Sequence, residues 1–408
     1  MAQAYIERTL ETVLKKAATE FPAIVLTGPR QSGKTTLLKH LFGETHRYVS
    51  LEPPDIRAAA QTDPRGFLDM NPAPVVFDEV QYAPELLAYI KERIDSNRNS
   101  YGQYLLTGSQ NLLLTEQITE SLAGRAAMLR LLPLSQREKD GQSQKLMPWE
   151  TTDQIARSKA DVQVNKLWET FLRGGFPELA ISPKRDANLW HASYIQTYLE
   201  RDVRSLRNVG DLSQFQSFLR ALAARSAQLL VLNDLARDLG IAVNTIKAWL
   251  SVLEATYQIV ILRPYSTNIG KRLVKTPKVY FTDVGTLCYL TGLRDATHAA
   301  SGPMGGPIFE TAVLSEIVKT LTHRGMDPQL YFWRTSTGTE VDIIVESNGR
   351  LVPVEVKLSA TPKSAMAAGI KAFTQDYGDK VMPGYVVHTG NHTLPLGDDV
   401  TALPFREL

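Results

Sequence analysis

The first third of the chain alternates short apolar runs with segments of helical spacing. Residues 5–17 place Ile6, Leu10, Val13 and Leu14 on one face, which predicts an amphipathic helix. Further helical segments are expected at 36–41, 55–60, 64–70 and 86–94. Apolar runs of strand length lie at 23–26, 47–51, 75–79, 104–107 and 128–132. Strands that alternate with helices predict an α/β core.

After residue 135 the composition and the predicted secondary structure of the chain change three times. Residues 136–165 are polar and predict a surface insertion or linker, whereas residues 166–205 are helical and rich in aromatic side chains. Residues 213–263 give a helix, a glycine-bearing turn, a second helix and a strand, and another strand follows at 278–282. The last hundred residues combine a long helix with strands at 331–334, 340–345 and 351–357. The expected domains are 1–135, 136–208, 209–290 and 291–408.

Composition narrows the class of protein. The 408 residues are 43% hydrophobic and 22% charged, which is typical of soluble globular protein of two to four domains. The net charge of +2 excludes a global polycation, so any nucleic-acid surface must be local. The single cysteine, Cys288, excludes an internal disulfide framework and a cysteine-based zinc site. We expect no membrane-spanning helix and no membrane partner, because no apolar run reaches 18 residues. We expect no signal peptide, because the N-terminus lacks the apolar core of one, and therefore a cytoplasmic location.

A glycine-rich loop follows the first predicted strand and opens into a helix. Strand, loop and helix in this order are the context that a phosphate-binding P-loop requires. Lys34 would reach the β- and γ-phosphates of ATP, and Thr35 would supply a hydroxyl ligand to Mg²⁺. The backbone N–H groups and the helix N-terminus would hold the phosphates. The predicted nucleotide-binding residues are Gly28, Pro29, Arg30, Gln31, Ser32, Gly33, Lys34, Thr35 and Thr36.

The third strand ends in two carboxylates, Asp78 and Glu79, a Walker B pattern. Asp78 would hold the Mg²⁺, and Glu79 would orient and polarise the attacking water. The alternative is a buried strand with an ordinary acidic end. An intervening strand between the two motifs, together with the second carboxylate, favours the P-loop class with an additional strand.

Two further positions are candidates for sensing the γ-phosphate. Ser109 or Gln110 would lie near it, because they follow the strand at 104–107; the alternative is a plain turn. Arg125 would approach it in cis or from a neighbouring subunit, and the alternative is a surface or strand-pairing arginine.

These motifs together resemble a family of prokaryotic AAA-type ATPases whose members carry a C-terminal domain of unknown function. The resemblance implies ATP binding and hydrolysis, but no biological role; relatives often form rings, so a homo-oligomer is a candidate state. It covers nearly the whole chain and is carried by residues 28–36, 77–81, 105–110, 122–125, 132–135, 174–178, 198–202 and 280–285.

The middle of the chain supplies a predicted lid and a predicted winged helix. The helical segment 166–205 would cover the nucleotide, and Arg201, Asp202 and Arg204 would face it or form an ion-pair network. The helix-turn-helix pattern predicts a winged helix that contacts DNA or, alternatively, only protein. The candidate DNA contacts are Asn244, Thr245 and Lys247 in the second helix, and Lys271, Arg272 and Lys275 in the wing.

The last hundred residues match the D…ExK arrangement of restriction-endonuclease-like folds. Glu355 and Lys357 share one strand face because strand periodicity is two, and Asp342 lies on the preceding strand. Asp342 and Glu355 would bind a divalent metal, Lys357 would steady the attacking water, and Glu310 or Glu316 would complete the site. The alternative is an ion-paired cluster on a hairpin.

The sequence therefore predicts an α/β protein with a P-loop AAA-type ATPase core, a helical lid, a winged helix and an α/β restriction-endonuclease-like C-terminal domain. One hypothesis is an ATP-regulated enzyme that acts on DNA. The other is an ATP-driven switch or assembly protein whose C-terminal domain binds a partner without cutting.

Overall fold

The computed structural model describes residues 5–108, 121–151, 164–198, 212–267, 275–397 and 399–408. Seven of the predicted positions lie outside the described residues: Ser109, Gln110, Arg201, Asp202, Arg204, Lys271 and Arg272.

A five-stranded sheet forms the N-terminal core, in the order β2-β3-β4-β1-β5. All of its pairings are parallel. The first strand lies between β4 and the edge strand β5, so the loop after it leaves the carboxyl edge of the sheet beside these two strands. The strands are β1 (Ala23–Thr27), β2 (Arg47–Ser50), β3 (Val75–Asp78), β4 (Tyr104–Gly108) and β5 (Ala126–Arg130).

Helices cover both faces of this sheet. Ile24 and Leu26 pack with residues of α1 and α2 on one face, and Val25 packs with α5 on the other. Since β1 is buried along its whole length, the predicted α/β core is confirmed as a parallel sheet between helical layers. The helices are α1 (Leu10–Glu20), α2 (Lys34–Phe42), α3 (Pro54–Thr62), α4 (Pro64–Met70) and α5 (Leu86–Ser96).

The first helix begins later than its hydrophobic pattern indicates. It was predicted over 5–17, but α1 spans Leu10–Glu20. The residues before it are held by tertiary hydrogen bonds: the Thr9 hydroxyl donates to the Ser143 carbonyl at 2.8 Å, and the buried Arg8 bonds to three partners. Periodicity alone could not separate this ordered, non-helical segment from the helix.

A helical region follows β5. The prediction of a surface insertion from residue 136 is wrong for its first residues, because Ser135 and Glu138 form a capping box and Glu138 is only 1% exposed. The helices are α6 (Gln136–Lys139), α7 (Val164–Arg173), α8 (Pro177–Ile181), α9 (Ala187–Tyr198) and α10 (Leu212–Ala223).

The rest of the described chain builds a mixed nine-stranded sheet, in the order β13-β14-β12-β11-β10-β9-β7-β8-β6. Its strands are β6 (Gln228–Leu229), β7 (Ile259–Pro264), β8 (Lys278–Phe281), β9 (Leu330–Arg334), β10 (Glu340–Ser347), β11 (Arg350–Lys357), β12 (Gly384–His388), β13 (Leu394–Pro395) and β14 (Val400–Pro404). Its helices are α11 (Leu232–Leu239), α12 (Val243–Ala255), α13 (Val284–Leu290), α14 (Ala296–Ser301), α15 (Gly305–His323) and α16 (Ala368–Tyr377).

Strand β7 pairs in parallel with β9, through Arg263 with Tyr331 and Pro264 with Phe332. The predicted domains 209–290 and 291–408 therefore share one sheet and one hydrophobic core. Cys288 is a free buried thiol in that core. Among the ranges given above, no helix has both the length and the apolar character needed to cross a membrane.

Candidate functional site

The loop between β1 and α2 folds around the ammonium group of Lys34. Lys34 is 6% exposed, and its Nζ donates to the carbonyls of Gly28 and Pro29 at 3.0 Å each. Gly28 has φ +148°, and a Cβ there would lie 2.1 Å from the Leu131 carbonyl oxygen, so only glycine fits. The loop thus places a positive charge and the N-terminus of α2 at one concave surface.

Asp78 ends β3 and accepts three hydroxyl hydrogen bonds. Thr35 Oγ1 lies 2.9 Å and Tyr48 Oη 2.5 Å from Asp78 Oδ2, while Thr107 donates to Oδ1. The adjacent oxygens of Thr35 and Asp78 are the hard ligands that Mg²⁺ takes, and they fit one ion. The described part of the chain contains no group of three or more His, Cys, Asp and Glu side chains arranged to hold a metal. A magnesium site with one carboxylate and one hydroxyl does not need such a group, because phosphate and water fill the other positions.

Sequence reasoning missed Tyr48 and Thr107. Burial, and then the hydrogen bond to Asp78, raise the pKa of Tyr48 well above its usual value, so its hydroxyl remains a donor. Thr107 Oγ1 also accepts from the Glu79 N–H at 3.1 Å. Both residues lie on the strands beside β3, so polar residues near the carboxyl ends of neighbouring parallel strands were the available signal.

Glu79 lines the same cavity as Lys34 and Thr35. Its backbone is left-handed, with φ 60°, a conformation that non-glycine residues seldom adopt and that clusters at functional sites. Its carboxylate accepts a hydrogen bond from the Gln81 side chain. The two acidic residues of the Walker B pattern therefore point to different partners, Asp78 to hydroxyl groups and Glu79 into the cavity.

That cavity has a volume of about 580 Å³, which is within the range of small-molecule sites. Besides the P-loop, its wall includes Tyr5 of the N-terminal segment, Pro177 and Ile181 of α8, and Tyr194 of α9. The segment predicted as a lid thus contributes two of its helices to the wall.

Arg125 lies away from the P-loop of its own chain. Its guanidinium binds both carboxylate oxygens of Asp95, at 2.7 and 3.0 Å, and its carbonyl accepts from Ala23 N at the amino end of β1. The P-loop follows the carboxyl end of the same five-residue strand, roughly 16 Å away at about 3.3 Å per residue. Arg125 and Lys34 therefore lie at opposite edges of the sheet.

Three of the predicted DNA-contacting residues, Asn244, Thr245 and Lys247, lie on α12, and Lys275 precedes β8. Asn244, Lys247 and Lys275 are exposed and Thr245 is half-buried. Trp249 is buried, with its ring 5.2 Å from that of Phe215, so it belongs to the core. One lysine on this helix face is a weak electrostatic footprint, and DNA contact stays a prediction.

The D…ExK residues come together at the carboxyl end of β11. The Asp342 carboxylate accepts from Val356 N at 2.8 Å, and Lys357 Nζ lies 2.7 Å from Glu355 Oε2 and 3.6 Å from Asp342 Oδ2. Burial, followed by the charge of Asp342, raises the pKa of Glu355 to about 9 and that of Glu310 to about 7. The side chains of Glu310, Asp342, Glu355 and Lys357 therefore interact electrostatically, and we call these four residues the acidic cluster.

Glu310, on α15, is the helix carboxylate of the acidic cluster. It accepts from the Tyr280 hydroxyl at 2.6 Å and lies 3.1 Å from Lys278 Nζ. Glu316 accepts instead from the N–H groups of Gln136 and Arg137, at 2.6 and 3.1 Å. Either Glu310 or Glu316 was the predicted helix carboxylate that would complete the D…ExK site. Of these two, Glu310 is the one that the structure places beside Asp342.

Three family models match the chain in succession. One described as "AAA domain" matches residues 20–139. Two described as domains of unknown function, DUF8612 and DUF4143, match residues 164–297 and 305–408. The P-loop and Asp78 lie in the first match and the acidic cluster lies in the last.

Among solved structures, the chain is similar to the Walker-type ATPase PABY2304 of Pyrococcus abyssi. The likeness has a TM-score of 0.44 at 18% identity and covers 70% of this chain and 96% of that one.

Similar proteins are found in bacteria and archaea. The uncharacterized protein MJ1544 of Methanocaldococcus jannaschii is 24% identical over 360 residues, with 83% of this chain and 76% of the relative covered. The uncharacterized proteins Mb2031c of Mycobacterium bovis and Rv2008c of Mycobacterium tuberculosis are each 30% identical over 397 residues, with 97% of this chain and 82% of the relative covered. The chain therefore belongs to the same protein family as Mb2031c and Rv2008c, and its residues 20–139 form an AAA domain.

Proposed function

We propose that the N-terminal core binds Mg²⁺–ATP and hydrolyses it. The observation that carries the proposal is that Lys34, Thr35 and Glu79 line one cavity at the carboxyl edge of a parallel sheet, with Asp78 hydrogen-bonded to Thr35 beside it. Ligands bind at this edge in open α/β sheets. The AAA domain matched to the same residues supports the proposal.

Each residue has a distinct task in this proposal. Lys34 and the N-terminus of α2 neutralise the β- and γ-phosphates, which compete with two loop carbonyls for the ammonium group. Thr35 and Asp78 hold Mg²⁺, which neutralises charge that develops on the phosphate oxygens. Glu79 accepts the proton of the attacking water. Pro177, Ile181 and Tyr194 exclude bulk water from the cavity.

Lys34→Ala should weaken ATP binding about 10- to 100-fold, because a charge-assisted hydrogen bond contributes about 1.5–3 kcal/mol. Fluorescent ATP titration with excess Mg²⁺ measures this. Lys16→Ala is the matched control, since Lys16 is 74% exposed and pairs with its helix neighbour Glu20 on the surface. Equal affinity in the Lys34 variant and the control would remove the P-loop assignment.

For Arg125 we propose action in trans, on the nucleotide of a second copy of the chain. The bidentate pair with Asp95 holds the arginine at the edge of the sheet away from its own P-loop. This role requires a homo-oligomer in which that edge approaches a neighbouring cavity.

We also propose that ATP state is coupled to the acidic cluster. Helix α15 supports this, because Glu310 in its second turn belongs to the acidic cluster and His323 at its end contacts Leu132, which follows β5 of the ATPase core. The two residues are separated by about 20 Å of helix, at about 1.5 Å per residue.

If ATP state controls the acidic cluster, one activity that the cluster would carry out is metal-dependent cleavage of DNA. Asp342 and Glu355 would supply carboxylate ligands for a divalent cation, Glu310 would complete the site, and Lys357 would face the attacking water. The structure does not arrange these three described carboxylates as a metal site, so cleavage requires them to move into ligand geometry. The Asp342 and Glu355 side chains are only 12% and 5% exposed, so a duplex reaches them only after a rearrangement. A switch protein that binds its partner without cutting is the alternative, and it needs no such access.

Asp342→Ala should abolish cleavage of plasmid and linear DNA in Mg²⁺ or Mn²⁺, assayed with and without ATP. The substitution removes the Asp342 carboxylate, one of the negative charges that would hold the metal ion. Asp376→Ala, on the exposed face of α16, is the control. Lys34→Ala in the same assay shows whether ATP gates cleavage. If the wild-type protein cuts nothing while ATP is hydrolysed, the switch alternative replaces the nuclease.

A further inference from the structure

A buried ionic network joins the P-loop to the C-terminal region. Its members are Arg8, which precedes the matched AAA domain, Glu138 of α6, and His323 at the end of α15, inside the DUF4143 match. Their exposed fractions are 3%, 1% and 0%. Charged groups are almost never buried to this degree without partners, so the network is a specific contact between parts of the chain.

Arg8 bonds to two backbone segments and to one carboxylate. Its Nη1 donates to the Ser32 carbonyl of the P-loop at 2.9 Å, and its Nη2 donates to the Leu132 carbonyl at 2.7 Å. Its Nε lies 3.1 Å from Glu138 Oε1. The planar guanidinium presents donors in a fixed fork, which the single ammonium of lysine cannot reproduce.

His323 completes the network from the other side. Its Nε2 accepts from Leu132 N at 3.1 Å, and its Nδ1 lies 3.1 Å from Glu138 Oε1. Burial lowers the pKa of His323, so the ring is neutral, with one acceptor nitrogen and one donor nitrogen. Glu138 also accepts from the N–H groups of Thr9 and Ser135, at 2.9 Å each.

We propose that Arg8 and His323 are positioning residues for ATP hydrolysis. Arg8 holds the Ser32 carbonyl, which fixes the turn from which Gly33 and Lys34 present their N–H groups to the phosphates. His323 and Glu138 hold Arg8 and Leu132 in place. The inference rests on the proposed ATPase function and adds that segments outside the matched AAA domain set the P-loop geometry.

The expected effect follows from how sensitive phosphate binding is to loop geometry. A displacement of about 1 Å can cost about 10²-fold in rate. Without His323, the buried Leu132 N–H loses its acceptor, and Glu138 loses the ring nitrogen that lies 3.1 Å from it. The guanidinium of Arg8, which bonds to Glu138 and to the Leu132 carbonyl, is then held less firmly. The loss should fall on the phosphates, because the P-loop contacts them and not the base.

The test compares His323→Leu, His323→Gln, Arg8→Lys and the control Arg65→Lys. Arg65 pairs with Glu92 at 2.8 Å on the surface, where both side chains are more than half exposed. Competition titrations with ADP and AMP give the dissociation constant of AMP divided by that of ADP. This ratio reports how much affinity the P-loop gains from the β-phosphate. His323→Leu and Arg8→Lys should lower this ratio and kcat about tenfold or more at a temperature well below melting. His323→Gln, which keeps an acceptor and a donor, should recover most of both.

A merely structural role would lower the melting temperature of the variants and leave the ratio and kcat within about twofold of the control. That result in either folded variant, His323→Leu or Arg8→Lys, overturns the proposal. Lys34→Ala separates this failure from failure of the proposed function. If Lys34→Ala lowers the ratio and the network variants do not, the positioning role alone is wrong; if Lys34→Ala leaves it unchanged, the P-loop assignment is wrong.

Discussion

Glu79→Gln should lower the rate of ATP hydrolysis by about 10²- to 10⁴-fold, the usual contribution of a general base. The amide keeps the size and the hydrogen-bonding reach of the carboxylate but cannot take a proton from water. Binding of Mg²⁺–ATP should change little, because Lys34, Thr35 and Asp78 are untouched. The variant should therefore accumulate with ATP bound, and single-turnover assays with a parallel binding titration measure both quantities.

The control for Glu79→Gln is Glu85→Gln, an exposed carboxylate at the start of α5. It loses the same charge six residues further along the chain without lining the cavity. Turnover by Glu79→Gln at the rate of this control would show that Glu79 is only the acidic end of a buried strand.

Asp283→Ala should lower the free energy of unfolding by about 3–5 kcal/mol, as expected when one partner of a buried charged pair is removed. Asp283 is 5% exposed and accepts from the N–H groups of Gly175 and Thr286, at 2.7 and 2.8 Å. Burial opposes ionisation, but Lys319 and these donors hold the pKa of Asp283 below its usual value. The substitution leaves the two N–H groups buried without their acceptor and removes a negative charge that compensates the buried Lys319.

Asp295→Ala is the matched control for Asp283→Ala. Asp295 caps α14 in the same manner, by accepting from His298 N at 2.8 Å, but it is exposed. Its loss should cost about 1 kcal/mol, the usual contribution of an N-cap. Urea denaturation followed by circular dichroism compares the two variants. Similar midpoints would show that the Asp283 contacts add nothing beyond helix capping.

The Asp283 contacts also explain two sequence motifs that carried no evident chemistry. Residues 174–178 and 280–285 pack on each other, and a Cβ at Gly285 would lie 2.7 Å from Gly174 N. Asp283 accepts a hydrogen bond from Gly175 N, and Pro177 two residues later lines the cavity that Lys34 and Glu79 also line. These motifs thus fix the part of the cavity wall that packs against Gly33 of the P-loop.

The P-loop and the acidic end of β3 could be predicted from sequence because each is a contiguous pattern with a fixed local geometry. Arg8 and His323 could not, since they are 315 residues apart and meet only through the packing of α15 on the ATPase core. Tyr48 and Thr107 belong to the same class, because strand order decides their approach to Asp78. The pairing of β7 with β9, which merges two predicted domains, likewise has no local signal.

The most direct test of the central claim is the release of phosphate from ATP by the purified full chain, measured with Mg²⁺ and with the metal chelated. The proposed function predicts turnover that requires Mg²⁺ and is lost in both Lys34→Ala and Glu79→Gln. Folded wild-type protein that releases no phosphate above the buffer rate, or a Lys34→Ala variant as active as wild type, would contradict it.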